Sequence, residues 1–228
     1  MKMKFGAIVT DGRGKIGGHV ASKNRSGAYL RTKVTPVNPQ QPDQMAVRSR
    51  FADLSSAWRG LTETQRAAWN AAVSDYAKTD IFGDLKNPTG AQLYQRLNNN
   101  LVNIGEAAIS IPLSPAAIPS MESIELAAAA VAGTMTLTYS PAIPATIKFL
   151  VRATPAVSAG VSFVKSEYRQ IAVIATADAS PYNLAAEYET KFGDIGPATS
   201  KVFVQVVPIV IATGQAGPAL STSAIVAA

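Results

Sequence analysis

Short apolar stretches recur at regular intervals through the second half of the chain, and they limit its possible folds more than any other feature. The stretches are rich in β-branched residues, and Gly or Pro residues separate them. They cover residues 124–130, 134–139, 147–153, 161–165, 168–176, 184–192, 202–211 and 222–227. Seven or eight short strands in about 105 residues are typical of an antiparallel sandwich. Residues 120–228 therefore predict a β-sandwich, although the alanine run 127–130 alone is also compatible with a helix.

Apolar residues in the first half of the chain follow a helical period instead. Five of them within residues 44–61 are spaced by four, three, four and three positions, which places them on one face of a helix. These five are Val47, Phe51, Leu54, Trp58 and Leu61. Thr62 and Gln65 then have the spacing of a capping box, which predicts the start of a second helix.

The second and third predicted helices complete a small helical unit over residues 44–105. The second helix carries three apolar residues on one stripe, namely Trp69, Val73 and Tyr76. The third is predicted from about Thr89 to Gly105, where glycine favours a helix end. Trp58 and Trp69 are compatible with an aromatic ligand cage. A unit this small needs large aromatic side chains to close its core, so we expect both to be core residues.

Residues 1–43 are rich in Gly, Pro and positive charge and poor in large apolar residues. Residues 5–34 read as short strands, and Asn24–Gly27 has the composition of a hairpin turn in which Gly27 adopts a positive φ. Residues 35–43 contain three prolines and are expected to be extended. We therefore predict a basic β-hairpin arm that is flexible in the free subunit and becomes ordered by neighbouring subunits.

Charge is distributed unevenly between the two halves. Residues 1–105 carry 15 Lys or Arg and 7 Asp or Glu residues, a net charge of +8. Residues 106–228 carry 6 and 8, a net charge of −2. Such asymmetry is typical of two modules with different surroundings.

Three prolines, Pro112, Pro115 and Pro119, predict an extended linker between the helical and the β-rich parts. The predicted fold class is α+β in four parts. These are a basic Gly/Pro-rich β-hairpin arm (1–43), a three-helix unit (44–105), a Pro-rich linker (106–119) and a β-sandwich (120–228).

Side chains that carry out catalysis or bind metals are scarce. The chain has no cysteine and one histidine, His19, which excludes disulfides, thiolate nucleophiles, Cys/His zinc sites and most triad chemistry. The Gly-rich segment GRGKIGG lacks the Gly-Lys-Ser/Thr ending of a phosphate loop. Asp75, Asp80 and Asp84 lack the ligand pattern of a calcium loop. We predict no catalytic residues, no metal site and no cofactor, and hence no enzyme.

The basic residues of the arm form the candidate interface. Six residues are predicted to contact a partner: Lys15, Lys23, Arg25, Tyr29, Arg31 and Lys33. The partner could be nucleic acid, whose phosphates would make the affinity strongly salt-dependent. It could instead be an acidic patch on a neighbouring subunit. Nothing in the segment is suited to reading bases, so we expect a protein interface, with nucleic acid as the alternative.

The sequence predicts no contact with a membrane. No apolar run approaches the roughly 20 residues that span a bilayer. Residues 12–15 also interrupt what would be the apolar core of a signal peptide. We therefore expect a protein that is not secreted by this route.

Motifs over residues 12–105 resemble a loosely defined group of uncharacterised proteins from bacteriophages and prophages. The shared elements are a Gly-rich start, a G-x-Y-x-R hairpin, an NP turn, a Gln, an R-x-x-F helix and the pattern W-x-x-L-T-x-x-Q-R-x-x-W. Here they are Gly27, Tyr29, Arg31, Asn38, Pro39, Gln44, Arg48, Phe51, Trp58, Leu61, Thr62, Gln65, Arg66 and Trp69. Where the group usually reads NP-x-T, this chain has the residues NPQQ at 38–41. The C-terminal part is similar in architecture to immunoglobulin and fibronectin-III modules.

The resemblance implies a non-enzymatic virion structural protein. Such a protein would dock through its arm and helices and present the β-sandwich as a capsid decoration, a head fibre or a tail component. Its partners would be other virion proteins and copies of itself, in a particle assembled in the cytoplasm of the host bacterium. A carbohydrate-binding sandwich is a weaker alternative, because the C-terminal part has no Trp to stack on sugars. Its tyrosines are Tyr139, Tyr168, Tyr182 and Tyr188.

Overall fold

A computed structural model describes residues 2–3, 12–119, 121–130 and 133–228, and these form a mixed α+β protein with antiparallel sheets. The chain divides into two compact units. Unit 1 comprises Met1–Ser49 and Ala77–Lys86, and unit 2 comprises Arg50–Tyr76 and Asn87–Ala228. This division differs from the four consecutive parts drawn from the sequence, because unit 2 joins the helices, the Pro-rich stretch and the β-rich region.

Unit 1 contains a four-stranded antiparallel sheet with the strand order β1-β4-β3-β2. Its strands are β1 (Lys2–Met3), β2 (Gly14–Ile16), β3 (His19–Asn24) and β4 (Gly27–Thr32). A two-stranded hairpin, β5 (Lys78–Thr79) with β6 (Leu85–Lys86), belongs to the same unit. The predicted strands over residues 5–34 lie partly outside the described residues, which resume at Gly12.

The predicted hairpin at Asn24–Gly27 is confirmed. Asn24 pairs with Gly27 across a two-residue loop, and Gly27 has a φ of +106°. The Asn24 side chain accepts a hydrogen bond from the Ser26 amide at 2.9 Å, which closes the turn locally. Glycine fits this position because a side chain disfavours positive φ.

Three helices occupy the positions predicted from apolar spacing. They are α1 (Pro42–Gly60), α2 (Glu63–Ala71) and α3 (Gly90–Asn103), with a short 3₁₀ turn at Ser74–Tyr76. The capping box of Thr62 and Gln65 is confirmed, and Thr89 with Gln92 forms a second one. The apolar stripe of α1 is only partly covered, because Leu54 is buried whereas Val47 and Phe51 are exposed.

The aromatic residues of the helices form a core. Trp69 is fully buried, and its ring meets Tyr94 edge-on at a centroid distance of 5.3 Å. Trp58 packs partly buried against the same tyrosine ring at 5.4 Å. The Trp69 indole N–H donates to Ser110 O at 2.8 Å, so its one polar group is satisfied. Both tryptophans are therefore packing residues of unit 2, as predicted.

The β-rich part of unit 2 contains two antiparallel sheets that share one apolar core. The strands are β7 (Ser123–Ala129), β8 (Thr134–Ser140), β9 (Ile147–Ala153), β10 (Arg169–Ile174), β11 (Tyr182–Asn183), β12 (Lys201–Val210) and β13 (Leu220–Ile225). One sheet has the order β10-β9-β12-β13 and the other β11-β8-β7. Leu137 from the second sheet and Val151 and Val204 from the first belong to the same buried cluster. The alanine run 127–130 starts within strand β7 rather than in a helix.

Residues 184–192, predicted as a strand, instead form helix α4 (Ala185–Phe192). Leu184, Tyr188 and Phe192 lie four residues apart, which is a helical spacing, and Tyr188 is fully buried. Burial raises the pKa of Tyr188 to about 12, so the neutral phenol donates its hydrogen bond to Thr154 O. The strand prediction is wrong here. The apolar residues of this stretch recur every four positions, as in a helix, whereas the neighbouring stretches have the β-branched composition of strands.

Residues 161–165, which are also predicted as a strand, are irregular in the structure. Val157 still pairs with Lys201, but the chain then leaves the sheet. Strand β9 pairs directly with β10, and the segment between them adds no strand to the sheet.

Helix α3 packs on the opposite face of the four-stranded sheet from the shared core. Leu101 and Ile104 of the helix form a separate buried cluster, which includes Leu150, Val207 and Ile209 of strands β9 and β12. At the turn after β12, Gly214 approaches α3 so closely that Asn100 Nδ2 donates to Gly214 O at 2.8 Å. The four-stranded sheet is thus covered on one side by the second sheet and at one end of its other side by a helix.

The Pro-rich stretch 106–119, which we call the strap, is hydrogen-bonded along its length. Buried Asn98 of α3 accepts from the Ile109 amide at 2.6 Å and donates to Ile109 O at 3.2 Å. Tyr76 donates to Leu113 O at 2.8 Å, and the Ala116 amide donates to Gln215 Oε1 at 3.1 Å. The strap has no regular secondary structure, and it joins the helices to the β-rich region instead of separating them.

Within the described ranges, no helix is both long enough and apolar enough to cross a membrane.

Candidate interface on unit 1

Cross-strand pairing places most of the predicted interface residues on one face of the unit 1 sheet. Lys15, Val20 and Arg31 lie in one row across strands β2, β3 and β4. Lys2 and Ser22 flank Tyr29 in the next row. Directly paired residues project to the same face, and alternate residues along a strand do so as well. Lys33 continues this alternation, since its amide donates to Gly18 O at 2.8 Å.

We call this surface the basic face; it comprises Lys2, Lys15, Tyr29, Arg31 and Lys33. Lys15, Arg31 and Lys33 are exposed, and Tyr29 is half-buried among them. Among the described residues, no carboxylate lies within ion-pair distance of these three cations. Three cations without a described carboxylate partner therefore lie around one aromatic ring.

The other two predicted residues lie elsewhere in the hairpin. Lys23 pairs with Ala28, so it projects to the opposite face from Tyr29. Arg25 is in the exposed two-residue turn. The structure thus divides the predicted set of six into four residues on the basic face, one on the reverse face and one at the hairpin tip.

Lys2 is a member of the basic face that sequence reasoning missed. Its Nζ forms an ion pair with Asp80 Oδ2 at 3.3 Å, which links the N-terminal strand to the 77–86 segment of unit 1. Partial desolvation raises the pKa of Asp80, but hydrogen bonds from the Phe82 and Asp84 amides and the Lys2 ammonium lower it to a net value below the usual range. No local sequence signal links Lys2 to Tyr29, because their pairing spans the residues of two other strands.

A shallow pocket lies at the margin of the basic face. Its volume is about 240 Å³, and Lys2, Asn24, Ser26, Gly27 and Tyr29 line it. The lining combines one ammonium, an amide, two hydroxyl groups and backbone. Such groups bind anions or polar backbone.

The described residues of unit 1 bury little apolar surface. Among its described residues, the buried hydrophobic ones are Ala21 and Ala28, both small. Large hydrophobic side chains are exposed instead: Ile16, Val34, Val37, Met45, Val47, Ile81, Phe82 and Leu85. Unit 1 also has 11 Lys or Arg against 4 Asp or Glu residues, a net charge of +7, whereas unit 2 has 10 against 11, a net charge of −1.

Most of the residues considered as metal or nucleotide ligands lie in turns and strands of unit 1. Across the described ranges, no group of three or more His, Cys, Asp and Glu side chains could hold a metal ion. Asp80 uses Oδ1 to accept from the Phe82 and Asp84 amides in the β5–β6 turn. His19 is exposed at the start of β3, and Gly14 to Gly18 form strand β2 and the turn that follows it.

Comparisons with family models, with curated proteins and with solved structures found no match for this chain. Evidence on function therefore comes from the surfaces of the two units and from the motifs quoted above.

Proposed function

We propose that this chain is a non-enzymatic structural subunit of a bacteriophage virion. It docks on neighbouring subunits through unit 1 and presents the β-rich region of unit 2. One observation carries the proposal, namely that the described residues of unit 1 leave eight large hydrophobic side chains exposed and bury only two hydrophobic ones, both alanines. The motif resemblance over residues 12–105 supports a bacteriophage virion as the particle.

The energetics of unit 1 favour burial against a partner. Fully burying a Val, Leu, Ile, Phe or Met side chain contributes about 1.5–3 kcal/mol. Small units bury a low fraction of their surface and are correspondingly marginal. Contact with a neighbour that covers even part of Val34, Val37 and Val47 would add stability that unit 1 lacks by itself. Docking and ordering of this unit are therefore coupled in the proposed subunit.

Charge favours an acidic partner surface. Unit 1 carries a net charge of +7, and Lys15, Arg31 and Lys33 have no carboxylate partner among the described residues. Complementary charge speeds association and sets the orientation of the partners more than it adds affinity. A neighbouring subunit that presents carboxylates to the basic face would satisfy both requirements.

We also infer that the two sheets of unit 2 are a variant of the immunoglobulin or fibronectin-III sandwich. Two antiparallel sheets with a common core support this inference. Helix α4, which inserts Tyr188 into that core, is an addition to the arrangement. This part of the chain would be the surface that the particle presents.

The docking proposal predicts which substitutions prevent incorporation into particles. We expect the double variant Val37→Asp/Val47→Asp to fold, because both side chains are exposed in the subunit. It should be lost from purified particles, because docking would bury two carboxylates without partners. Ile225→Asp, at an exposed site of unit 2, is the matched control and should be incorporated normally. Quantitative mass spectrometry of filtered particles measures copy number in each case.

Hydrogen exchange supplies the second readout of the same prediction. Amides of residues 15–33 should exchange faster in the free subunit than in the particle, because neighbours order the arm. Strong protection of these amides in the free monomer would contradict the coupling. Absence of the wild-type chain from purified particles would overturn the virion proposal itself.

A second candidate function is nucleic-acid binding by the basic face. The observation that favours it is the grouping of Lys2, Lys15, Arg31 and Lys33 around the half-buried ring of Tyr29. Cations contact phosphates, and an aromatic ring can stack on an unpaired base. This surface would bind single strands without reading their sequence.

Salt dependence tests this alternative sharply. If the basic face binds nucleic acid, the triple variant Lys15→Ala/Arg31→Ala/Lys33→Ala should reduce the slope of log K against log salt by about one per lost phosphate contact. Lys23→Ala, on the reverse face, should leave the slope unchanged. Fluorescence anisotropy with a labelled oligonucleotide measures both. No binding of wild type at low salt, or equal slopes for the two variants, would exclude the basic face as a nucleic-acid site.

A further inference from the structure

A groove lies on the outer side of the four-stranded sheet of unit 2, at the end that helix α3 leaves uncovered. Alternate residues of β12 project to this side: Val207 and Ile209 pack against α3, whereas Phe203 and Gln205 line the groove. The irregular segment 162–168 forms the opposite wall. The groove has a volume of about 380 Å³. This volume is at the lower end of the range for small-molecule sites, about 300–1,000 Å³.

The two walls differ in chemistry. The irregular wall carries two aromatic side chains, Phe163 and Tyr168, and Phe163 is 75% exposed although it is a large apolar residue. The strand wall carries Phe203 together with Gln205, Ser221 and Ser223, which add one amide and two hydroxyl groups. Aromatic faces thus oppose a row of uncharged donors and acceptors.

The irregular wall is held in place by hydrogen bonds. Lys201 Nζ donates to Val161 O at 3.2 Å and lies over the ring of Phe203, 4.9 Å from its centroid. Arg169 donates to Ser166 O and to Tyr168 O, each at 3.2 Å.

We propose that this groove binds a neutral saccharide. A sugar ring has one face of C–H groups, which suits the electron-rich face of Phe163, and a rim of hydroxyl groups, which suits Gln205, Ser221 and Ser223. The lining contains no carboxylate and a single ammonium, that of Lys165, so it lacks the clustered cations that a phosphate or a strongly acidic ligand requires. This binding activity goes beyond the docking role proposed for unit 1 and does not depend on it.

Titration of the ¹⁵N-labelled full chain with a panel of sugars tests the proposal. The panel contains glucose, galactose, mannose, N-acetylglucosamine and the disaccharides lactose, cellobiose and chitobiose. At least one sugar should shift amide resonances within 162–168, 203–205 and 221–223, with a Kd in the millimolar range or tighter. Phe163→Ala should weaken that binding about tenfold, the equivalent of about 1.4 kcal/mol.

Controls separate specific binding from other outcomes. Phe163 is exposed, so its replacement should leave the fold intact, which circular dichroism checks. Phe82→Ala, which removes an exposed aromatic ring from unit 1, should leave sugar binding unchanged. Three results would overturn the proposal: no shift in the groove with any sugar, equal affinity of Phe163→Ala and wild type, or glycerol shifts as large per mole as those of the sugars.

Discussion

Trp69→Ala is expected to lower the free energy of unfolding of unit 2 by about 3–5 kcal/mol, the range for removing a buried Trp or Phe side chain. Trp69 has no exposed surface and contacts the edge of Tyr94. Its loss would leave a cavity between α2 and α3 and remove the N–H donor of Ser110 O in the strap. Urea denaturation followed by far-ultraviolet circular dichroism measures the change.

Two comparison variants separate the contributions to this effect. Trp69→Phe keeps most of the apolar volume but removes the indole donor of Ser110 O, and this should cost about 0.5–1.5 kcal/mol because Ser110 is exposed and water can replace the donor. Trp58→Ala removes a partly buried ring and should cost less than Trp69→Ala. A loss below about 1 kcal/mol for Trp69→Ala would contradict the view that this side chain holds the helices and the strap together.

Gly214→Ala is expected to destabilise unit 2 by about 2–5 kcal/mol. Two effects add at this position. Its φ of +71° is strained for any residue with a Cβ atom, at about 1–2 kcal/mol. A Cβ atom here would also overlap Leu97 O and lie 3.0 Å from Leu101 Cγ, and overpacking costs about 1–3 kcal/mol more.

Gly105→Ala is the matched control for the close contact. Gly105 has a similar φ of +77°, but a Cβ atom there would meet nothing within 4 Å. This variant should therefore show only the conformational cost of about 1–2 kcal/mol. Thermal and urea unfolding of both variants measure the difference. Equal losses for the two would mean that α3 and the β12–β13 turn separate without cost, contrary to the packing described above.

The helices and the hairpin were predictable because their signals are local. The stripe on α3 and the caps Thr62 and Thr89 depend on residues three or four positions apart. The turn at Asn24–Gly27 needs only its own residues. The exposure of Val47 and Phe51 was not predictable, because an apolar stripe shows that a helix face can be buried but not what covers it.

The errors in the β-rich region have a different origin. A β-branched stretch such as 161–165 becomes a strand only when a neighbouring strand has a free edge, and this depends on the order of all the strands. The packing role of the strap was also out of reach. Its prolines predict an extended backbone, but its partners Trp69 and Gln215 lie 41 and 99 residues away in sequence from Ser110 and Ala116.

The placement of the interface residues could be predicted from the sequence in part. Tyr29, Arg31 and Lys33 alternate, so a strand places them on one face without further information. The two-residue turn fixes the hairpin register, from which the opposite placement of Lys23 follows. The groove at Phe163 could not be predicted, since it depends on an irregular segment that crosses the outer side of a sheet.

The hydrogen bonds of the strap set the limits for exchanging modules between proteins of this type. A recombination point within 106–119 is the obvious choice from the sequence, but it would separate Ser110 and Leu113 from their donors Trp69 and Tyr76. It would also expose Leu150, Val207 and Ile209, which α3 covers. The smallest graft that keeps these contacts is unit 2 as a whole, with its junctions at Arg50, Tyr76 and Asn87. Any natural or engineered swap of the β-rich region should therefore carry its helices with it.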